Sequence, residues 1–321
     1  MPGRVLDRRS FSAMALATVF AVPRALAEPT TGSRLPSADD VYEPPTTLAL
    51  VADLYARMTA PLTVDDKGPF PFVVDTGANQ SVISSELAAH LSLPHDPPSL
   101  LNGVAGVEMA PTTAALLGLG RRARRHTPLF VLPRAAIGGD GMLGLDGLEG
   151  ERLVLDFKRR TLEIDTGPRR GVESRTVVMH AHRRDGQLTL VDADLDGIPV
   201  TAFIDSGAQS TIGNRALQHL ATLREPTDVW RVAPIVSVTG QTIDSDMAEL
   251  PHLRIGGLTL PRWNVAFADL HTFQLWDLTQ RPAILIGVDI LSRFEKVTLD
   301  FARNEVSFRL PDIGNVRQIH A

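Results

Sequence analysis

Phe72-Val73-Val74-Asp75-Thr76-Gly77-Ala78-Asn79-Gln80-Ser81-Val82-Ile83-Ser84 is written a second time, as Phe203-Ile204-Asp205-Ser206-Gly207-Ala208-Gln209-Ser210-Thr211-Ile212-Gly213-Asn214. Each copy delivers an Asp from an apolar strand into a Thr/Ser-Gly-Ala turn, and a short apolar strand leads out. A lone Asp-Thr-Gly says little, since chance places one in roughly one chain in ten of this length. An Asp before Gly is ordinarily turn chemistry. Two copies in the same extended context point instead to a duplication with a shared task.

Working outward, the repeat extends in both directions. Thr47–Met58 and Pro61–Val64 precede the first Asp motif as Thr176–His182 and Gln187–Leu195 precede the second. A Gly turn stands just before each Asp strand, at Lys67-Gly68-Pro69 and Asp196-Gly197-Ile198. Short amphipathic helices are expected after the motifs, at Ser84–Leu93 and Asn214–Leu223, where leucines recur at helical spacing. Gly-centred hairpins follow at Leu101–Gly106 and Ser237–Gln241. Leu117-Gly118-Leu119-Gly120 and Ile255-Gly256-Gly257-Leu258 are read as each opening a strand. Met142-Leu143-Gly144-Leu145-Asp146-Gly147-Leu148 matches Leu285-Ile286-Gly287-Val288-Asp289-Ile290-Leu291. Glu151-Arg152-Leu153-Val154-Leu155-Asp156-Phe157 matches Glu295-Lys296-Val297-Thr298-Leu299-Asp300-Phe301.

A duplication built from short strands predicts an all-β fold with few short helices: two similar lobes related by a pseudo-twofold axis. Such an axis brings equivalent loops face to face, so the two Asp turns should meet between the lobes. The 321 residues are enough for two lobes with their own cores. Frequent Gly and Pro suit many strands and tight turns. The expected organisation is a leader at 28–45, lobe one at 46–166, a polar linker at 167–175, lobe two at 176–313 and a tail at 314–321.

Residues 1–27 read as an export signal. Arg8-Arg9 stand ahead of an apolar run, Ala13 to Val22, which is too short to span a bilayer. Ala25-Leu26-Ala27 then offers a small-x-small cleavage pattern, and the whole resembles a twin-arginine signal. This implies a periplasmic or secreted protein with no stable membrane insertion after signal removal. The absence of Cys excludes disulfides, thiol catalysis and Cys-type zinc sites. A net charge of −5 offers no broad basic surface for nucleic acid.

With these motifs assembled, the chain resembles aspartic proteases of the retropepsin-like type, fused into one chain in a duplicated form, over roughly residues 46–312. The resemblance implies retropepsin/pepsin-like β-barrel lobes, with Asp75 and Asp205 as catalytic carboxylates sharing one proton. It implies an aspartic endopeptidase that hydrolyses polypeptides with no cofactor and no metal, here as a monomer. The alternative is a non-catalytic peptide-binding module of the same fold. Thr76 and Ser206 would reach across to the opposite loop's backbone, and Gly77 and Gly207 would permit the turn and its close approach. Ala78 and Ala208 stand where a hydroxyl would depress a carboxylate pKa, so the shared proton should be held to mildly acidic or near-neutral pH. Gly103, Gly106 and Gly240 would belong to two flaps. Gly144 and Gly287 would pack beside the Asp loops. The sequence departs from the pepsin type in having tyrosines only at Tyr42 and Tyr55, neither in a flap, which favours paired retropepsin flaps.

Three further features invite weaker readings. Arg121-Arg122-Ala123-Arg124-Arg125-His126 reads as a solvated turn. His180-Ala181-His182 places two imidazoles on one strand face, without an evident third metal ligand. The stretch around Trp276 is longer than its first-lobe counterpart, and either packs over the barrel or shapes a substrate subsite.

Overall fold

The computed structural model describes residues 14–16, 20–21, 46–49, 51–52, 57–120, 125–147, 151–165, 167, 171–184, 187–190, 193–224 and 231–312. The arginine pair at 8 and 9, the cleavage pattern at 25–27, the 28–45 leader, residues 121–124 of the basic run and the tail lie outside the described residues.

In each lobe the Asp-bearing strand is central. Lys67–Val74 pairs antiparallel with Met58–Val64 and parallel with Gly141–Leu143. Thr201–Ile204 pairs antiparallel with Gln187–Leu190 and parallel with Ala283–Ile286. A strand covered on both faces needs an unbroken apolar run rather than alternation. Val73, Val74, Phe203 and Ile204 supply it and are buried. After each Asp turn the short strands Val82–Ser84 and Ile212–Gly213 lead into helices Ser85–Leu91 and Arg215–Arg224, within a residue or two of the expected spans. Each helix begins on a side-chain cap at the equivalent place. Ser84 Oγ accepts from Leu87 N at 3.1 Å, and Asn214 Oδ1 from Leu217 N at 2.9 Å.

The lobes are not two separate closed barrels, because their final hairpins fuse. Arg152–Asp156 lies antiparallel to Lys296–Asp300, with Leu153 opposite Leu299 and Val154 opposite Thr298. Outside this pair run Thr161–Asp165 and Thr46–Ala49 on one side, and Glu305–Arg309 and Thr176–Arg184 on the other. The join is reciprocal: Phe157 N donates to Glu295 O at 2.9 Å and Phe301 N to Glu151 O at 3.0 Å. Pairing these strands removes two exposed sheet edges and buries Leu153, Leu155, Val297 and Leu299 completely or nearly so. The Leu117–Gly120 and Ile255–Leu258 runs differ from expectation. Each closes one strand, Gly106–Leu119 or Leu253–Ile255, and turns towards the next.

The extra length of lobe two resolves as packing. Helix His271–Leu275 carries Trp276 into a cluster where its ring stacks on Phe203 at 4.0 Å and 25°. Trp276 is only 2% exposed, so the subsite reading of this residue falls. Asn214 ties the segment down, with Nδ2 donating to Leu278 O and Arg281 O at 2.7 and 2.6 Å. Phe203 neighbours Ile204 and Asp205, so this packing backs the second Asp strand directly. Trp276→Ala should lower unfolding free energy by about 3–5 kcal/mol in denaturant titration. A loss below 1 kcal/mol would contradict a packing role.

Candidate active site

The two Asp turns meet between the lobes. Thr76 Oγ1 donates to Ile204 O at 2.9 Å, and Ser206 Oγ donates to Val74 O at 2.8 Å. The same hydroxyls accept in return: Ser206 N donates to Thr76 Oγ1 at 3.0 Å, and Thr76 N to Ser206 Oγ at 3.1 Å. Both loops are thereby held by four bonds that no single lobe can make. Serine in place of threonine loses nothing here, since only the hydroxyl is used.

Gly77 and Gly207 are required by contact. A Cβ on Gly77 would stand 2.5 Å from the Asp205 carboxyl carbon, and one on Gly207 would collide with the Asp75 carboxyl. Neither glycine adopts a positive φ, so close approach rather than the turn itself demands them. Each carboxylate accepts from its own loop: Asp75 Oδ1 from Gly77 N at 2.8 Å, and Asp205 Oδ1 from Gly207 N at 2.9 Å and Ala208 N at 3.0 Å. Asp75 Oδ2 is buried with no hydrogen-bond partner.

Behind each loop the apolar-apolar-Gly segment passes in contact. Asp75 N donates to Leu143 O and Asp205 N to Ile286 O, both at 3.0 Å. Leu145 N reaches Ala78 O and Val288 N reaches Ala208 O, both at 2.9 Å. A Cβ on Gly144 or Gly287 would meet loop backbone under 3.0 Å away, at Gln80 and Ser210 respectively. Ala78 and Ala208 are fully buried in this sandwich.

Sequence reasoning gave no role to the residues that finish the support. Ser81 donates through N and Oγ to Asp146 at 3.0 and 2.7 Å, and Thr211 donates in the same way to Asp289 at 3.1 and 2.8 Å. Those hydroxyls also accept from Gly144 N and Gly287 N, both at 3.0 Å. The signal was available. Ser81 and Thr211 stand at the same distance after their aspartates, and Asp146 and Asp289 at the same distance after their glycines.

The two Gly hairpins lie against each other, with Gln241 Nε2 donating to Glu108 at 3.3 Å. Gly103 pairs with Gly106 at one tip, and a Cβ on Gly103 would lie 3.2 Å from Ser237 Oγ in the other hairpin. Gly240 sits at φ +81°, a left-handed turn position. The tips cross over. Val104 is buried in a second-lobe cluster with Leu270, Phe273 and Trp276, and Val238 in a first-lobe cluster with Val82, Phe130 and Ile137. His271 N donates to Val104 O at 2.8 Å. Met14–Leu16 runs parallel to Ile235–Ser237, and Phe20–Ala21 antiparallel to Leu101–Asn102, so both hairpins pair with extended chain. His180 and His182 sit away from these loops on Thr176–Arg184, opposite Glu305 and Thr189.

Two lobes presenting paired Asp-Thr/Ser-Gly turns to one another define an aspartic-protease fold. The sequence model of the aspartyl protease family matches residues 60–146 and 191–290, more than half of the chain and one segment in each lobe. The chain therefore belongs to the aspartyl protease family. No curated protein matches it.

Burial pushes the Asp75 carboxyl well above the usual carboxylate range. The charge of Asp205 adds to this, while the Gly77 N–H and the Arg57 guanidinium oppose it. A carboxyl whose folded pKa is raised binds more protons in the native than in the unfolded state, so stability falls as pH rises between the two values. The window opens near the ordinary carboxylate value and extends upward. Unfolding free energy measured against pH should decline across it, and Asp75→Asn should flatten the decline. An identical slope in that variant would show that Asp75 is not the titrating group.

Proposed function

We propose that the protein is a retropepsin-like aspartic endopeptidase, with both half-sites in one chain acting as a monomer on polypeptide substrates. The observation that carries the reading is the buried pair Asp75 and Asp205, each in contact with the glycine of the opposite loop. Two carboxylates this close cannot both ionise cheaply, so they hold one proton between them. The deprotonated member takes a proton from water, and the protonated member donates to the scissile carbonyl oxygen. The water oxygen bonds to the carbonyl carbon. Collapse of the tetrahedral species then breaks the C–N bond as the carboxyl that took the water proton gives it to the leaving nitrogen, and the other carboxylate takes a proton back from a hydroxyl of the tetrahedral carbon. Asp205 receives two loop N–H donors and Asp75 one, which makes Asp205 the better holder of the negative charge and Asp75 of the proton. With Ala at 78 and 208, no side-chain hydroxyl there draws the proton away.

A substrate would lie as an extended strand between dyad and hairpins, held largely through its backbone. The pairing of Met14–Leu16 and Phe20–Ala21 with the hairpin strands supports such a mode, since it displays their edges accepting extended chain. The rival reading, a peptide-binding module without turnover, has no support from the dyad, which is intact. The deciding experiment is incubation with denatured protein, with and without a pepstatin-like inhibitor. Asp75→Asn and Asp205→Asn should each abolish cleavage while remaining folded, and the double variant should be no worse than either. Turnover surviving in Asp205→Asn would refute the dyad.

Export through a twin-arginine-type signal to the periplasm or beyond completes the proposal, resting on Arg8-Arg9 and the short apolar run after them. Among the described residues no helix is long and apolar enough to cross a membrane. Replacing Arg8 and Arg9 with Lys should leave the precursor in the cytoplasm on cell fractionation. Normal export of that variant would remove the arginine pair from the argument.

A further inference from the structure

Around the dyad the supporting bonds of the two lobes correspond, and lobe one also carries a buried charge there. Arg57 is fully buried, and its Nη2 donates to Ile137 O at 2.6 Å. The antiparallel register that sets Thr59 opposite Val73 carries Arg57, two residues earlier, alongside Asp75. In the second lobe Thr189 stands opposite Phe203, and the same step back leads to Gln187. The first lobe thus has a cationic residue at the register position where the second has an uncharged one.

Several other described charges near the loops are engaged as follows. Asp146 and Asp289 lie behind them, each bound by Ser81 or Thr211. Asp140 receives Ser84 N on its backbone carbonyl, and its carboxylate pairs with Arg134. Arg134 is half exposed, so it is screened by solvent as Arg57 is not. A dyad with one proton carries a single negative charge in a buried place, and such a charge is tolerable only with compensation.

We propose that Arg57 is the counter-charge of the Asp75–Asp205 dyad, a positioning residue that favours the singly protonated pair over the doubly protonated one. It thereby sets the acid limit of hydrolysis. The inference rests on the proposed function and assigns within that site a role that lobe symmetry does not supply. The guanidinium's opposition to the upward push on the Asp75 carboxyl agrees with it. Its hydrogen bond to Ile137 O holds the group in place, and Ile137 lies in the cluster that receives the tip of the opposite hairpin.

The test compares kcat/KM against pH for cleavage of denatured, fluorescein-labelled casein by wild type, Arg57→Gln, Arg57→Lys and Gln187→Arg. Loss of a nearby opposite charge should move the acid limb of Arg57→Gln to higher pH by about one unit. Arg57→Lys should hold the limb near wild type, because the charge is kept. Gln187→Arg, which puts a cationic residue at the equivalent register position of lobe two, should move it to lower pH. An unmoved acid limb in folded Arg57→Gln overturns the proposal. If that variant does not fold, an unmoved limb in Gln187→Arg does so. Should wild type cleave nothing, the function reading falls by itself. The four proteins then report dyad titration through unfolding free energy against pH. There the declining window should extend to higher pH in Arg57→Gln and retract in Gln187→Arg, and identical windows overturn the counter-charge.

Discussion

The exchange of hydroxyl bonds between Thr76 and Ser206 is the constraint on which the rest depends. Each hydroxyl donates to the strand that carries the opposite Asp and accepts from the opposite loop's N–H. The bonds are buried, so breaking one leaves a desolvated donor or acceptor that costs about 1–3 kcal/mol. They also fix the separation at which each carboxylate touches the opposite glycine. A looser junction would let water between the carboxylates and separate their titrations. The chemistry proposed for this protein needs that separation closed.

Support for this junction is layered outward in matching steps. Leu143-Gly144 and Ile286-Gly287 bond the loops from behind, and Ser81–Asp146 and Thr211–Asp289 lock those segments in turn. The interlobe sheet, centred on Arg152–Asp156 against Lys296–Asp300, joins the lobes by paired backbone. The hairpin tips cross to the opposite lobe through Val104 and Val238. Symmetry is broken where lobe two adds Trp276 behind Phe203, where Asp289 also receives Trp263 Nε1 at 3.0 Å, and where lobe one buries Arg57. An enzyme built from one chain can differentiate two half-sites in this way, whereas a homodimer must use the same residue in both.

What sequence reading recovered, and what it missed, divides along physical lines. The Asp turns, the hairpins and the closing strands were legible because each is a local pattern repeated at matched spacing. Asp146 and Asp289 fall within a repeated motif, but a carboxylate after Gly has many local uses and only its partner decides among them. In sequence Trp276 fits both packing and a subsite, since an aromatic in an insertion satisfies both patterns. Arg57 carried no signal, because nothing in Ala56-Arg57-Met58 says the side chain is buried.

The amino-acid sequence by itself determined that this is a duplicated β protein with two Asp-Thr/Ser-Gly-Ala turns. Strand periodicity, glycine turns and capping residues act over a few positions and are visible in one dimension. Only the tertiary structure decided that Gly77 and Gly207 answer to the opposite carboxylate rather than to their own φ. It likewise decided that the last strands of the lobes fuse into one sheet, and that Arg57 is buried. Those outcomes depend on contacts between residues far apart in the chain, and the physical reason is that burial, and with it the cost of a bare charge or an added Cβ, exists only once the lobes have closed on each other.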